Sequence, residues 1–174
     1  MTIRKILTEP DPFLRKKSQS VEKVDDSIRK VMDDMLETMY EAPGIGLAAI
    51  QIGIPKRIIV LDISKDPEKK EPMYFINPEK VHTSKDQATY EEGCLSVPGQ
   101  FAEIDRPEKC HIKYLDYNGD SKELKAEGLL ATCIQHEMDH LEGILFIDYL
   151  SKLKRSMITK KLSKQKKELE RIVV

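Results

Sequence analysis

The chain has 174 residues, and 29 Lys or Arg against 30 Asp or Glu leave a formal net charge of −1 at pH 7. Its length suits one domain with a substantial core. No apolar run approaches the roughly 20 residues that cross a bilayer, and the first residues lack the apolar stretch of a secretory signal. Three cysteines at irregular spacing argue against a disulfide framework. We therefore predict one cytoplasmic domain, residues 1–174, with neither membrane nor DNA as a partner.

The first predicted elements are a helix and three strands. Asp25 or Asp26 can cap the helix, whose apolar residues recur at intervals of three and four before Pro43 and Gly44 end it. Strands are predicted at residues 57–63, 73–77 and 80–84, where apolar and β-branched residues cluster.

The second half begins with a hairpin and ends in helices. Alternating residues flank Asn118 and Gly119, a strong hairpin signal. A helix at 129–141, a short strand and a basic helix at 151–174 follow. Because strands and helices do not alternate regularly, the order indicates an α+β fold.

A metal-binding motif lies in the predicted helix 129–141. His136 and His140 are four residues apart and Glu137 follows the first, which is the H-E-x-x-H pattern. On a helix this spacing puts both imidazoles on one face. Burying them with a carboxylate is costly unless a cation satisfies all three. The sequence therefore predicts a metal site in preference to hydrogen-bonded core histidines.

Downstream residues offer poor third ligands. The metzincin pattern ends in a histidine, but that position holds Phe146. A thermolysin-like site would need Glu168 or Glu170, which lie in the basic tail. His82 and His111 fall in strand-like segments, where His111 is expected on the surface.

Cys94 is the better candidate for the third ligand. It lies beside Gly93 in the stretch YEEGCLSVPG, where the thiol can approach closely. One Cys with two His is a catalytic ligand set that leaves a position for water. Cys133, three residues before His136, is expected to line the pocket, and Cys110 reads as an ordinary strand thiol.

Three separated stretches resemble the signature motifs of bacterial peptide deformylase. They are GIGLAAIQIG at 44–53, EGCLS at 92–96 and QHEMDHLEG at 135–143, in the family's order and spacing. The resemblance implies an α+β fold with small antiparallel sheets around a central metal-binding helix and with a C-terminal helix. It also implies an amide hydrolase that removes the N-formyl group from the N-terminal formylmethionine of newly synthesised polypeptides and releases formate.

The resemblance assigns catalytic roles as well. Cys94, His136 and His140 would hold a divalent metal whose bound water loses a proton near neutral pH and attacks the formyl carbon. Glu137 would act as general base and then as general acid. The oxyanion would be stabilised by the side-chain amide matching Gln51 and the backbone N–H matching Leu95.

Four further residues match substrate-binding positions of the family. Gly46 would contact the substrate backbone, while Ile45, Leu129 and Cys133 would surround the methionine side chain; core packing is the alternative for these three. Tyr90 and Thr132 stand where a relative has isoleucine and are expected to change the pocket's width and polarity. Glu92 and Arg106 match a buried ion pair that braces the active-site loop.

The candidate ligands do not single out one metal. A thiolate with two imidazoles suits zinc, iron or cobalt. The resemblance implies one Fe²⁺ per chain as the native ion, with Zn²⁺, Ni²⁺ or Co²⁺ possible in purified protein.

The tail at 151–174 carries nine Lys or Arg and two Glu, a net +7. A stripe including Leu153, Met157, Leu162 and Leu169 is expected to cover the body while the lysines face outward. Such a face would dock on ribosomal RNA, although a merely solvated face is the alternative.

Two other functions are compatible with parts of the sequence. The H-E-x-x-H core alone would allow a peptidase that cuts internal peptide bonds, but no downstream third ligand supports it. A non-enzymatic ribosome-binding relative is the second alternative, and the retained Glu137 argues against it.

Overall fold

The computed structural model describes residues 2–173, which form three α-helices and seven strands. The helices are α1 (Asp26–Glu41), α2 (Gly128–Leu141) and α3 (Lys152–Val173). The strands are β1 (Gly46–Ala48), β2 (Ile58–Leu61), β3 (Met73–Thr83), β4 (Gln87–Cys94), β5 (Val97–Pro107), β6 (Lys109–Leu115) and β7 (Ser121–Glu127). Short 3-10 helices cover Pro12–Arg15, Ala49–Ile52 and Phe146–Tyr149. The predicted α+β class is confirmed, and no helix within these residues could span a membrane.

The strands form two antiparallel sheets. One has five strands in the order β1-β2-β3-β6-β7, and the other is a ribbon of β4 and β5 alone. Leu115 and Ser121 close the β6–β7 hairpin around Asn118 and Gly119, as predicted. Within the described residues β4 and β5 pair only with each other, so the ribbon keeps two free edges.

Helix α1 packs on one side of the five-stranded sheet. The Asp25 side chain accepts a hydrogen bond from the Ile28 N–H at 3.1 Å and caps the helix, as predicted. Its buried Met32, Met35 and Met39 share a cluster with residues of β2. This burial explains the three-and-four spacing of the apolar residues.

Helix α2 is the central helix and contacts both sheets. Its apolar residues Ala131, Ile134, Met138 and Leu141 pack against strand residues such as Phe75. All residues from 131 to 141 are buried. The imidazoles of this helix are therefore held in a rigid interior, where their positions depend on tertiary packing.

Several predicted boundaries were wrong. Strands predicted at 73–77 and 80–84 form one strand, β3, because Asn77 adopts a positive φ of 50° and a register shift accommodates Pro78. The short strand expected before the last helix is a 3-10 helix, Phe146–Tyr149. Strands β1, β4 and β5 were not predicted.

Helix α3 also differs from its prediction in the face that it buries. Leu162 is buried with Leu145, Phe146 and Ile147, so the helix packs on the body. The rest of the expected stripe is exposed: Leu153, Met157 and Leu169. The stripe prediction was therefore wrong for these three residues, because the body reaches only the face around Leu162.

Candidate metal centre and active site

The three predicted metal ligands lie close together in the structure. Cys94 ends β4, directly before the tight connection to β5, and His136 and His140 lie one turn apart on α2. One ligand atom from each lies within 4.8 Å of the others. The Cys94 Sγ and the His140 Nε2 are 3.3 Å apart. This convergence of soft and imidazole ligands suits a single transition metal.

Glu92 and Arg106 orient the first histidine. The His136 Nδ1–H donates to the Glu92 Oε1 at 2.8 Å, which leaves Nε2 facing the cluster. Arg106 donates to both oxygens of Glu92, at 2.7 and 3.0 Å. Such an outer partner fixes the tautomer and ring orientation of a metal-binding histidine.

The charges around the three side chains also fit a cation. Burial opposes protonation of His136, but hydrogen bonds to Cys94 and Glu92 raise its pKa well above the ordinary value, so these neighbours stabilise a positive charge at a place where a metal ion would replace the proton. Burial and the neighbouring His136 lower the pKa of His140, so this imidazole stays neutral as a ligand must. The Glu137 Oε2, next to the cluster, is buried without a hydrogen-bond partner within the described residues. The residues present therefore fit a bound divalent metal.

Glu137 lies inside the site and not on the helix surface. Its Oε1 is 3.9 Å from the His136 Nε2. Burial raises the pKa of Glu137 to about 7. A Cβ on residue 46 would lie 2.6 Å from this Oε1. Only a glycine at this position therefore leaves room for the carboxylate beside the segment GIGLAAIQIG. A carboxyl group with this pKa can exchange a proton near neutral pH.

Gln51 is held with its amide nitrogen toward the thiol. Its Oε1 accepts from the Ala48 N–H at 2.9 Å, so Nε2 must point the other way. Nε2 donates to the Ser96 Oγ at 3.0 Å and lies 3.6 Å from the Cys94 Sγ. The Leu95 N–H has no hydrogen-bond acceptor within residues 2–173. The Gln51 amide and the Leu95 N–H thus both lie beside the candidate ligands, the first donating to the Cys94 Sγ and the second without an acceptor.

The N-terminal segment braces these loops. The Leu7 N–H donates to the Gln51 carbonyl at 2.7 Å, and the Glu9 N–H donates to the Ser96 carbonyl at 2.8 Å. The segment is anchored at its start, where the Thr2 N–H donates to Asp34 at 2.7 Å. Backbone hydrogen bonds therefore fix the two loops relative to each other.

A cavity of about 610 Å³ opens over the cluster. Ile45 and Leu129 line it with 48% and 39% of their surface exposed, so core packing does not explain them. Cys133 also lines it, and burial raises the pKa of its thiol to about 12. Tyr90 and Thr132 line the cavity as well. The cavity is large enough for an apolar side chain and the adjoining peptide backbone.

The structure adds residues that the sequence did not single out. Ser96 holds the Gln51 amide, and its place at the end of the motif EGCLS was the only available signal for it. Asp139 accepts from Arg106 at 2.8 Å and from the Tyr149 hydroxyl at 2.7 Å, which no local pattern indicates. Phe101 lines the cavity mouth with 66% of its surface exposed.

A Cys-His-His cluster beside a glutamate on the same helix, under an apolar cavity, defines a mononuclear metallohydrolase. The sequence profile of the family described as polypeptide deformylase matches residues 3–156. A peptide deformylase from Pelagibacter ubique is 67% identical over 174 residues, covering 100% of both chains. One from Phenylobacterium zucineum is 60% identical over 167 residues, covering 96% of this chain and 99% of the relative.

A solved structure agrees with these matches. The peptide deformylase from Ehrlichia chaffeensis in complex with actinonin is 47% identical, covers 95% of this chain and 98% of its own, and superposes with a TM-score of 0.91. The chain belongs to the polypeptide deformylase family, whose members are metal-dependent hydrolases that remove the N-formyl group from nascent peptides.

Proposed function

We propose that this chain deformylates the N-terminal formylmethionine of new polypeptides with one divalent metal held by Cys94, His136 and His140. The observation that carries the proposal is the convergence of these three side chains beside Glu137 under an apolar cavity. When bound there, the metal would polarise the formyl oxygen and lower the pKa of water. Fe²⁺ is the proposed native ion, and Zn²⁺, Ni²⁺ or Co²⁺ are the expected substitutes.

Glu137 is the proposed general base and acid. Its carboxylate takes a proton from the attacking water and then passes that proton to the leaving amine nitrogen. Two features support this role. Its Oε2 is buried with no partner in the described residues, and its Oε1 faces His136. The leaving amine would otherwise depart as an unstable anion, so this proton transfer is required.

Gln51 and Leu95 are the proposed oxyanion donors. The Ala48 N–H and Ser96 hold the Gln51 amide in one orientation, and its remaining N–H is directed toward the Cys94 Sγ, beside the place where the oxyanion would form. The Leu95 N–H is a second donor and has no acceptor within residues 2–173. Preorganised donors of this kind typically contribute about 3 to 4 kcal/mol each to transition-state stabilisation.

The substrate is proposed to bind along Gly46 with its methionine side chain near Ile45, Leu129 and Cys133. Gly46 lines the cavity, so its backbone is within reach of a peptide bound there. The exposed apolar surfaces of Ile45 and Leu129 would be covered by the methionine, which supplies a reason for their exposure.

The basic face of α3 is the proposed ribosome-docking surface. Lys160, Lys164, Lys167 and Arg171 are exposed and recur at intervals of four, three and four, so they share one face. This face lies opposite the buried Leu162. Anionic ribosomal RNA would bind it by releasing counterions. Because the proposed substrate is made on ribosomes, we expect the enzyme to act in the cytoplasm.

The test of the proposed function is hydrolysis of formyl-Met-Ala-Ser by metal-loaded protein. Release of formate with a new free amine, and no cleavage of an internal peptide bond in a parallel assay, are the expected results. Cleavage of the internal bond would favour an endopeptidase. A protein that binds metal and ribosomes yet hydrolyses neither substrate would be a non-enzymatic relative.

A further inference from the structure

A groove adjoins the candidate active-site cavity. It has a volume of about 650 Å³ and lies between β5 and the first half of α3. Gln100 and Phe101 line both the cavity and the groove. The two spaces are therefore neighbours that share one wall.

Phe101 forms that wall next to the candidate metal ligand. A Cβ on residue 93 would lie 2.6 Å from the Phe101 Cε1, so the ring packs directly on the Gly93 backbone. Gly93 precedes Cys94 in the chain. A polypeptide that leaves the cavity across Phe101 therefore enters the groove at once.

The groove follows a strand edge. Four consecutive residues of β5, positions 100–103, line it. Successive side chains of a strand point to opposite faces, so consecutive lining residues indicate an exposed edge. Within residues 2–173, β5 pairs only with β4, and positions 100–103 make no backbone hydrogen bond outside that ribbon. Such an edge offers N–H and C=O groups to an extended peptide.

The side chains around this edge suit an apolar or acidic peptide. Met157 contributes an exposed apolar surface from α3, opposite Phe101 from β5. Lys154 and Lys161 add two positive charges, against one negative charge from Glu103. Large exposed apolar side chains that converge from two elements mark a binding surface more often than scattered ones do.

We propose that this groove binds the downstream part of the formylated polypeptide as an extended segment along β5. The proposal rests on the proposed function, because the segment is the continuation of the substrate held in the cavity. Apolar side chains would contact Phe101 and Met157, and acidic side chains would pair with Lys154 and Lys161. The groove would thus favour longer substrates with acidic residues beyond the first few positions.

The experiment compares formyl-Met-Ala-Ser with formylated nonapeptides that begin with the same three residues. One nonapeptide continues with Leu and Glu, a second with Leu and Lys. For the wild type we expect the acidic nonapeptide to have a KM roughly five- to tenfold below that of the tripeptide with unchanged kcat, since shallow contacts leave a small net gain after the peptide is ordered. The KM of the basic nonapeptide should lie less far below that of the tripeptide.

Matched variants on the same helix assign the effect to the groove. Met157→Ser and the double variant Lys154→Glu/Lys161→Glu should remove the advantage of the acidic nonapeptide without changing tripeptide kinetics. Leu153→Ser and Lys160→Glu/Lys164→Glu are the controls, because Leu153, Lys160 and Lys164 are exposed on α3 but do not line the groove. They should behave as the wild type does. The double variant of the groove should instead prefer the basic nonapeptide.

The possible outcomes distinguish failure of the groove from failure of the proposed function. No hydrolysis of the tripeptide by metal-loaded wild type would refute the proposed function itself. Hydrolysis of the tripeptide with the same KM for all three peptides would overturn only the groove. Equal effects of groove and control variants would overturn it too, because the lysines would then act as general surface charge. A Met157-dependent dimer, seen by sedimentation with unchanged KM values, would assign the groove to a second copy of the chain and likewise overturn the proposal.

Discussion

The Nδ1–H of His136 donates a hydrogen bond to the Glu92 carboxylate at 2.8 Å, and Arg106 holds both oxygens of that carboxylate. Arg106 continues the chain of contacts to Asp139, which also accepts from the Tyr149 hydroxyl. The buried network therefore connects a candidate metal ligand with the 3-10 helix that precedes α3. The imidazole is held by charge and geometry from outside its own helix.

Glu92→Gln is expected to weaken metal binding by roughly 10- to 100-fold, because a neutral amide accepts less strongly from Nδ1–H and leaves part of the Arg106 charge unpaired. Competition with a chromophoric chelator measures the affinity. Tyr149→Phe is the control, since it removes only the last hydrogen bond of the network and should stay close to the wild type. Wild-type affinity in a folded Glu92→Gln protein would contradict an orienting role.

Purified wild type should hold about one transition metal per chain, and Cys94→Ser should lose most of it, because a hydroxyl does not ionise as a thiol does near neutral pH. Elemental analysis after gel filtration gives the metal content. Cys133→Ser is the matched control, since that buried thiol lines the same cavity but is not a proposed ligand. Equal metal content in all three proteins would show that the ligand set is wrong.

Glu137→Ala should keep the metal and lose at least the roughly 100-fold in kcat/KM that a missing general base costs. Formate release from formyl-Met-Ala-Ser and metal content are measured on the same preparation. Glu91→Ala removes another carboxylate that lines the cavity and should remain active. Activity of Glu137→Ala within a few-fold of the wild type would remove this residue from the mechanism.

The triple variant Lys160→Glu/Lys164→Glu/Lys167→Glu should abolish salt-sensitive binding to ribosomes and leave tripeptide hydrolysis unchanged. Co-sedimentation at low and moderate salt is the measurement. Charge reversal is a cleaner test than truncation after Leu150, which would also remove Leu162 from the buried cluster. Reversal of Lys80, Lys122 and Lys125, exposed on the sheet, is the control. Equal loss in both triple variants would leave α3 as a solvated face.

Stability should depend on pH through Asp34. Burial raises the pKa of this carboxyl, but hydrogen bonds from the Thr2 N–H and Arg4 outweigh it, so the folded pKa lies below the ordinary value. A lowered pKa contributes stability above the unfolded pKa, which is lost as pH falls through the folded one. Asp34→Asn should therefore lower the free energy of unfolding at pH 7 by about 1 to 3 kcal/mol.

Urea denaturation of wild type and Asp34→Asn, at pH 7 and at steps below pH 4, measures this difference. The gap between the two proteins should narrow in acid, and loss of metal, which affects both, cancels in the comparison. A gap of constant size at every pH would mean that the charge of Asp34 contributes nothing to folding.

Local patterns explain what could be predicted. The histidine pair was predictable because i and i+4 on a helix share a face whatever surrounds them. The Asn118-Gly119 hairpin and the Asp25 cap are also local. The strands β4 and β5 were missed because glycines, prolines and charged residues hide their alternation in a ribbon with two free edges.

Residue identities and their spacing were enough to predict the candidate ligands on α2, the proposed base between the two histidines and the family, because these depend on short motifs in the chain. The orientation of the site's side chains, in contrast, depends on contacts between distant parts of the chain. His136 and Glu92 are 44 residues apart, and Gln51 and Ser96 are 45 apart, so chain folding alone brings each pair into hydrogen-bond distance. The same is true of the buried face of α3 and of the open edge of β5 beside it. Burial depends on which other surfaces of the protein come near, and the periodicity of a single segment contains no information about them.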